Sequence, residues 1–125
     1  MEDRFLFRGK RKDNGEWIQG YLYGIWERRY ILWGMTNDIP NMVEVDPETV
    51  CQCTAMPDKN KKLVFEHDIV WDSDERAFYE IIWNQEDMCW NVEDADGHKS
   101  EFEECYGSTI EVNGNRFDNP ELLEV

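Results

Sequence analysis

The chain of 125 residues has the length of one domain, and its 41% hydrophobic and 14% aromatic residues exclude a disordered polypeptide. Its net charge of −15 at pH 7 makes direct binding to nucleic acid or to anionic membranes unfavourable, because like charges repel. No stretch reaches the ~20 apolar residues of a transmembrane helix, and the start MEDRFLFRGKRK lacks the apolar region of a signal peptide. We therefore expect a folded cytoplasmic protein.

The negative charge is concentrated in the second half of the chain. Residues 1–34 carry seven basic and five acidic side chains (+2), residues 35–66 carry three and six (−3), and residues 67–125 carry three and seventeen (−14). The acidic half disfavours DNA or RNA as a direct partner, whereas a basic partner or a divalent cation is compatible with it.

The first third of the chain predicts antiparallel strands. Phe5–Gly9 reads as a strand, and Trp17–Tyr23 reads as its return strand, because Asn14-Gly15 between them tolerates the positive φ values of a tight hairpin turn. A third strand is predicted at Tyr30–Trp33. The polar segment Met35–Asn41 is predicted to be a loop.

The middle of the chain predicts short elements separated by turns. Asp46 is suited to cap a single helical turn that starts at Pro47, and apolar periodicity does not continue beyond that turn. A short strand at Cys51–Thr54 and a turn at Asp58–Lys61 follow. The apolar run Leu63–Trp71 predicts two extended pieces on either side of a polar corner.

The remainder of the chain predicts regularly spaced short strands. They are expected at Ala77–Trp83, Met88–Val92, Ser100–Glu103 and Thr109–Val112. In the second of these strands, Met88, Trp90 and Val92 are predicted to share one face. Asn119 is predicted to cap a second single turn, which leaves Leu122 and Leu123 available to cover a core edge. Short strands without an amphipathic helix between them indicate a small barrel or sandwich.

Two segments carry a family resemblance: VDPETVCQCTAMPDKNKKLVFEHDIV at residues 45–70 and VNGNRFDNPELLE at residues 112–124. Together with the compatible start RFLFRGKRKDNGEWIQGYLY, they resemble the YopX family over nearly the whole chain. That family is typical of prophages and phage-like elements. The resemblance implies a mainly β fold with an SH3-like barrel in residues 58–125, β strands of residues 1–57 packed beside it, and one or two single-turn helices. It implies no catalytic residue.

Three departures from the family pattern are informative. The family has Gly where this chain has His67, so that either φ is negative at this corner or the histidine is strained. The family has an apolar residue at Asn113, which favours a continuous strand with a bulge at Gly114 over the hairpin that Asn-Gly suggests. The family often has Gly and an aromatic residue at Cys51 and Cys53, which weakens the interpretation of this pair as half a zinc site.

Candidate site residues are few, and we expect no catalytic residue, metal or cofactor. His67, between Glu66 and Asp68, has the chemistry of a general base or ligand, but a hydrogen-bonded turn histidine is the commoner case. The cysteines fit small apolar side chains in a reducing compartment. Trp26 lies in a polar run and is the best candidate for an exposed contact, and His67 is the other candidate for a contact with a partner. Most of the six tryptophans are expected in the core.

These features favour a non-enzymatic accessory protein of phage or prophage origin that acts through protein–protein contacts. Exposed edge strands also make a homo-oligomer an expectation. The alternative is an acidic DNA mimic that inhibits a host nucleic-acid-binding protein, because carboxylates on a β surface resemble duplex phosphates spaced about 1.7 Å apart along the axis.

Overall fold

The computed structural model describes residues 3–124, except for the side chains of residues 104 and 105. The protein is mainly β, as predicted, and its strands form two antiparallel sheets. The strands are β1 (Phe7–Lys10), β2 (Trp17–Ile25), β3 (Arg28–Thr36), β4 (Ile39–Val45), β5 (Cys51–Pro57), β6 (Leu63–Phe65), β7 (Asp68–Asp72), β8 (Ala77–Asn84), β9 (Cys89–Glu93), β10 (Lys99–Glu101) and β11 (Ile110–Asn115). Short 3-10 turns occur at Asp3–Phe5, Pro47–Thr49, Glu104–Ser108 and Pro120–Leu123, more than the one or two single-turn helices predicted. Among the described residues, no helix has the length and apolar character to span a membrane.

The chain divides into two compact units, Met1–Cys53 and Thr54–Val125. In the N-terminal unit the strand order is β4-β3-β2-β1, followed by the start of β5. The predicted first hairpin is confirmed, because Arg8 lies opposite Gln19 and Gly15 has φ +73° in the turn. Its first strand begins at Phe7, since Asp3–Phe5 forms a 3-10 turn instead.

The predicted loop at Met35–Asn41 is wrong. β3 continues to Thr36, and β4 starts at Ile39 after a two-residue turn in which Asn37 and Asp38 have φ values of +53° and +64°. Such a pair of positive φ values matches the right-handed twist of a hairpin. Pro40 does not prevent the strand because β4 is at the edge of its sheet, where a missing N–H costs no ladder bond.

The C-terminal unit contains a five-stranded sheet. Strands β7 to β10 pair consecutively, and β11 returns to pair with β7, which gives the order β10-β9-β8-β7-β11. The register of β11 shifts between Val112 and Gly114, so that the predicted bulge is confirmed and the hairpin is excluded. Gly114 is required here because a Cβ would collide with the side chain of Asn119.

The core of this unit is built from branched aliphatic side chains. The fully buried cluster contains Val64, Val70, Ile81, Val92 and Ile110. The expectation that most tryptophans occupy the core is wrong. All six are half-buried or exposed. In the C-terminal unit, valine and isoleucine fill the small interior between the short strands, and Trp71, Trp83 and Trp90 are left at its margin.

One predicted helix cap is confirmed, and two other local predictions are wrong. The side chain of Asp46 does accept the N–H of Glu48 at 3.0 Å, which confirms the first cap. Asn119 makes no cap bond to its own turn, because its Oδ1 accepts the N–H of Asn115 instead. Met88 lies outside β9 with φ +55°, so that only Trp90 and Val92 of the predicted face contribute to the core.

Candidate functional site

Three consecutive strands of the N-terminal unit carry large apolar side chains that are exposed to solvent. They belong to β2, β3 and β4, and we call those on the outer face the hairpin patch: Tyr21, Trp33, Met35 and Met42. Ile39 is also exposed, but it lies on the opposite face of β4, two positions along from Asn41 and four from Val43. Met35 is the most exposed of them, at 64%. Tyr21, Leu32 and Met42 lie in register across the three strands, so that the patch is continuous over the sheet surface.

Strand alternation explains why these residues face outward. Ile31 and Val45 on the opposite face are fully buried and form the core of the unit. Side chains at neighbouring positions point to opposite faces, so burying Ile31 turns Leu32 away from this core. The register shift between Leu32 and Gly34 leaves Trp33 as the extra residue of a bulge, half exposed.

An open groove of about 500 Å³ lies within the hairpin patch. Its walls are mostly apolar, with Gln19 as the one side-chain amide among the lining residues. Other walls come from Leu6, Tyr21, Leu32, Trp33, Met35 and Pro40. Aromatic, aliphatic and thioether side chains around a shallow groove are suited to receive apolar side chains of another protein.

Trp26 occupies the turn between β2 and β3, at the end of β2 opposite Trp17. Its side chain is 88% exposed, as predicted, and its φ is +52°. The guanidinium of Arg29 donates to the carbonyl oxygen of Trp26 at 2.9 Å, which fixes the turn. A hydrogen bond to Tyr30 is the main cause that raises the pKa of Arg28 beside it. An indole this exposed has no packing role in its own unit.

His67 is held at its corner by hydrogen bonds. Its Nδ1 lies 2.7 Å from Oε2 of Glu80, and its Nε2 lies 3.7 Å from Oε2 of Glu66. The N–H of His67 donates to the carbonyl of Ile81 at 2.7 Å. The φ angle of His67 is +68°, so the backbone of this histidine is strained, and the alternative of a negative φ at the corner is wrong.

The corner links three parts of the C-terminal unit. Glu80 on β8 also contacts the guanidinium of Arg116 at 3.3 Å, and the N–H of Arg116 donates to the carbonyl of His67. The imidazole packs edge-on against Phe117, with 5.7 Å between ring centroids. Both ring nitrogens therefore face carboxylates, which suits a structural cross-link better than proton transfer to a substrate.

Asp58, an acidic residue of the segment that resembles the YopX family, is buried and accepts hydrogen bonds from backbone N–H groups. Asp58 is 4% exposed, and its Oδ1 accepts the N–H groups of Asn60 at 2.8 Å and Lys62 at 2.9 Å. Its Oδ2 accepts the N–H of Val112 on β11 at 3.0 Å. Asp58 thus shapes its own turn and joins that turn to a distant strand, and it is directed away from solvent.

Cysteines and metal ligands form no convincing site in the described part of the chain. Cys51 and Cys53 are buried, and the Sγ of Cys51 donates to the carbonyl of Thr49 at 3.2 Å. The side chain of Cys105 lies outside the described residues. Burial fits the prediction that these thiols act as small apolar side chains.

Asp94, Asp96 and His98 bring potential metal-ligating atoms within 4.8 Å of one another. Asp94 Oδ1 accepts the N–H groups of both Asp96 and His98 at 2.9 Å, so that a turn already explains the cluster. The hydrogen bond from the N–H of His98 is the main cause that lowers the pKa of Asp94.

The hairpin patch was missed at the sequence level because its second strand was interpreted as a loop. One signal was present: Asn37-Asp38 is suited to a two-residue hairpin turn, and Met35 and Ile39 flank it. Of the two contact candidates predicted from the sequence, Trp26 belongs to the N-terminal unit and His67 to the C-terminal unit.

A family model described as YopX protein matches residues 6–124, nearly the whole chain. No curated protein matches the sequence.

Proposed function

This chain belongs to the YopX family, and we propose that it is a cytoplasmic accessory protein of phage or prophage origin that acts without catalysis, through protein–protein contacts. The single observation that carries this proposal is the hairpin patch. Among the described residues, nine of the eleven exposed large hydrophobic side chains lie in the N-terminal unit, the other two being Trp83 and Met88. Contiguous exposed apolar surface on a small protein typically marks an interaction site.

The composition of the hairpin patch supports a protein ligand. Between Leu32 and Asn41 the only ionisable side chain is Asp38, at the hairpin tip. Depletion of charge and enrichment in aromatic residues and methionine characterise the centres of protein–protein interfaces. Trp33 and Tyr21 are residue types that often supply much of the binding energy.

The hydrogen bonds of the motif residues support a role without catalysis. Asp58 and Asp46 accept backbone N–H groups, and Thr54 donates its hydroxyl to the carbonyl of Val64 at 2.8 Å. His67 is engaged by Glu80. These polar side chains of the family motif stabilise turns and strands, so that their role in folding accounts for the motif without a catalytic role. The buried thiols of Cys51 and Cys53 suit a reducing compartment.

The test is affinity capture from the lysate of a host that carries the phage or prophage. Met35→Lys places a charge in the hairpin patch, and Met88→Lys is the matched control because Met88 is 67% exposed and lies outside the patch. We expect wild type and Met88→Lys to capture the same protein and Met35→Lys to lose it. Equal capture by both variants would remove the proposal.

For the fold we propose that the C-terminal unit is an SH3-like barrel. The supporting observation is its topology: four consecutive strands, a 3-10 turn at Glu104–Ser108, and a last strand that pairs with the first. Closure of such an antiparallel sheet into a small barrel removes its exposed edges, and side chains fill the interior. An experimental structure with β11 and β10 on opposite sides of the core of Val70 and Ile81 supports the barrel, and a flat open sheet contradicts it.

The second candidate function is mimicry of DNA by the C-terminal unit. Residues 54–125 carry six basic and nineteen acidic side chains, for a net charge of −13. Buried Asp58, Asp68, Asp72 and Glu80 are not available to imitate phosphates, which limits the candidate surface. Mimicry predicts capture of DNA-binding proteins that is lost as salt rises from about 0.1 M to about 1 M, whereas capture by an apolar patch survives.

A further inference from the structure

The C-terminal unit contains a groove that the proposed function does not use. Its volume is about 440 Å³, within the roughly 300–1,000 Å³ of clefts that hold ligands. We propose that this groove binds a basic segment of a partner protein, with the stem of a lysine or arginine side chain on the apolar floor and the charged head at the acidic rim. The inference goes beyond the proposed function, which assigns contacts to the hairpin patch of the other unit.

The floor of the groove is aromatic and aliphatic. Trp71 on β7 lies directly opposite Phe78 on β8, so that both side chains are on the same face of the sheet, and their ring centroids are 4.8 Å apart. Leu122 and Leu123 of the last 3-10 turn add to the apolar lining. All four side chains are half-buried. They are recessed, and so they can line the stem of one long side chain but offer no broad apolar surface.

The rim of the groove is acidic. Asp94, Asp96 and Glu124 lie along it, and Arg76 is the only basic residue among the described lining residues. A net charge of −5, from six acidic side chains and one basic side chain, belongs to the segments that supply the lining: residues 71–78, 94–96 and 122–124. Lysine and arginine pack their aliphatic stems on apolar surface and keep the charged head among polar groups, and aromatic rings attract the cation as well. The groove therefore favours a basic occupant over an acidic or a purely apolar one.

Two of the rim carboxylates are available to a partner. Asp96 and Glu124 are exposed, and neither carboxylate has a hydrogen bond or an ion pair with another described residue. Asp94 differs from them, because its Oδ1 accepts the N–H groups of Asp96 and His98 at 2.9 Å. Asp94 therefore shapes the turn that presents Asp96, while Asp96 itself is left to contact a ligand.

Hydrogen bonds hold the segments of the groove in place. In the turn between β7 and β8, the N–H of Arg76 donates to the carbonyl of Asp72 at 2.7 Å. The N–H of Glu124 donates to the carbonyl of Glu121 at 3.1 Å. Together with the turn that Asp94 shapes, these bonds order the groove before a ligand arrives, so that binding costs little conformational entropy.

The experiment measures binding of a fluorescein-labelled hexapeptide, in which lysine and leucine alternate, to the full chain by fluorescence anisotropy. We expect the wild type to bind it, and the double variant Asp96→Asn with Glu124→Gln to bind it about fivefold more weakly or worse, because exposed ion pairs each contribute up to about 1 kcal/mol. The matched control is Glu86→Gln with Glu101→Gln, which removes the same charge from exposed side chains of the same unit outside the groove. The control and Met35→Lys are expected to bind within about twofold of the wild type.

Two altered peptides test the floor and the rim separately. A peptide with serine in place of each leucine is expected to bind at least about fivefold more weakly, because it buries less apolar surface. A peptide with glutamate in place of each lysine is expected not to bind, because its charge has the same sign as that of the rim.

Each other outcome overturns the proposal. Absence of binding by the wild type does so, as does an equal loss of affinity in the groove variant and in its control. Equal affinity for the leucine and serine peptides also overturns it, since the charge of the unit alone would then attract the peptide, as in DNA mimicry. A loss of binding in Met35→Lys alone would assign the peptide to the hairpin patch and not to the groove.

Discussion

Nδ1 of His67 lies 2.7 Å from Oε2 of Glu80 although the backbone of His67 is in the left-handed region, at φ +68°. The hydrogen bond offsets the free-energy cost of this backbone conformation, which is about 1–2 kcal/mol for residues other than glycine. Glycine would adopt it freely, and the resemblance pattern has glycine at this position. In this chain the corner therefore has a strained backbone where glycine would have none, and it gains a hydrogen bond from the side chain of His67 to Glu80 on β8.

Substitutions at His67 separate these two effects. His67→Ala loses the link and keeps the strain, so we expect it to lower the free energy of unfolding by about 1.5–3 kcal/mol. His67→Gly loses the link but removes the strain, and is expected to be about 1 kcal/mol more stable than His67→Ala. Urea unfolding measures both. Equal stability of the two variants would mean that the backbone conformation costs nothing here.

Asp58 is expected to be the most sensitive polar residue of the motif. Asp58→Ala leaves the N–H groups of Asn60, Lys62 and Val112 without their acceptor, at about 1 kcal/mol or more each. We expect a loss of at least about 3 kcal/mol in urea unfolding. Lys59→Ala in the same turn is the control, because its ion pair with Glu111 at 3.6 Å is exposed. A loss for Asp58→Ala no greater than for this control contradicts the cap.

Asp94 predicts a specific dependence of stability on pH. The hydrogen bond from the N–H of His98 holds the pKa of Asp94 below the ordinary value of an aspartate in the folded protein. The stabilisation is therefore present above the unfolded pKa and is lost as pH falls through the folded pKa. Asp94→Asn keeps an acceptor oxygen but does not titrate. We expect a shallower loss of stability below about pH 4 in this variant than in the wild type. The measurement is the free energy of unfolding at several pH values. An equal dependence on pH in the wild type and in Asp94→Asn would show that Asp94 does not contribute to the loss of stability in acid.

Trp26 is expected to matter for contact and not for folding. Trp26→Asn places at φ +52° a residue type that tolerates this region, so we expect stability to stay within about 0.5 kcal/mol of wild type or to increase. Partner capture is expected to weaken if Trp26 belongs to the contact surface. Thermal unfolding and quantitative capture on the same preparations provide the measurement. Undiminished capture would exclude Trp26 as a contact residue.

The fold was predictable where local chemistry is explicit. Asn14-Gly15 gave the first hairpin, Asp46-Pro47 gave a capped turn, and the resemblance pattern placed a bulge at Gly114. Prediction failed at β4, because Pro40 and the polar residues around it were weighed as loop signals. Proline is tolerated in β4 because this strand is at the edge of the sheet, and the position of a strand in its sheet depends on the tertiary structure.

The candidate site was less predictable than the fold. The exposure of Trp26 follows from its polar neighbours, but the groove depends on which face of β3 the sheet buries. Leu32 and Ile31 are similar in the sequence, and burial of Ile31 alone decides that Leu32 faces the groove. The strain at His67 likewise required the backbone angles, because both signs of φ were open.

The most direct test of the hairpin patch as the contact surface is hydrogen–deuterium exchange of the wild-type chain, free and in its assembled form. The account predicts that assembly slows exchange of backbone amides in residues 31–43, which include most of β3 and most of β4, and leaves residues 84–89 unchanged. Protection confined to residues 54–125, with residues 31–43 exchanging as in the free chain, would contradict it.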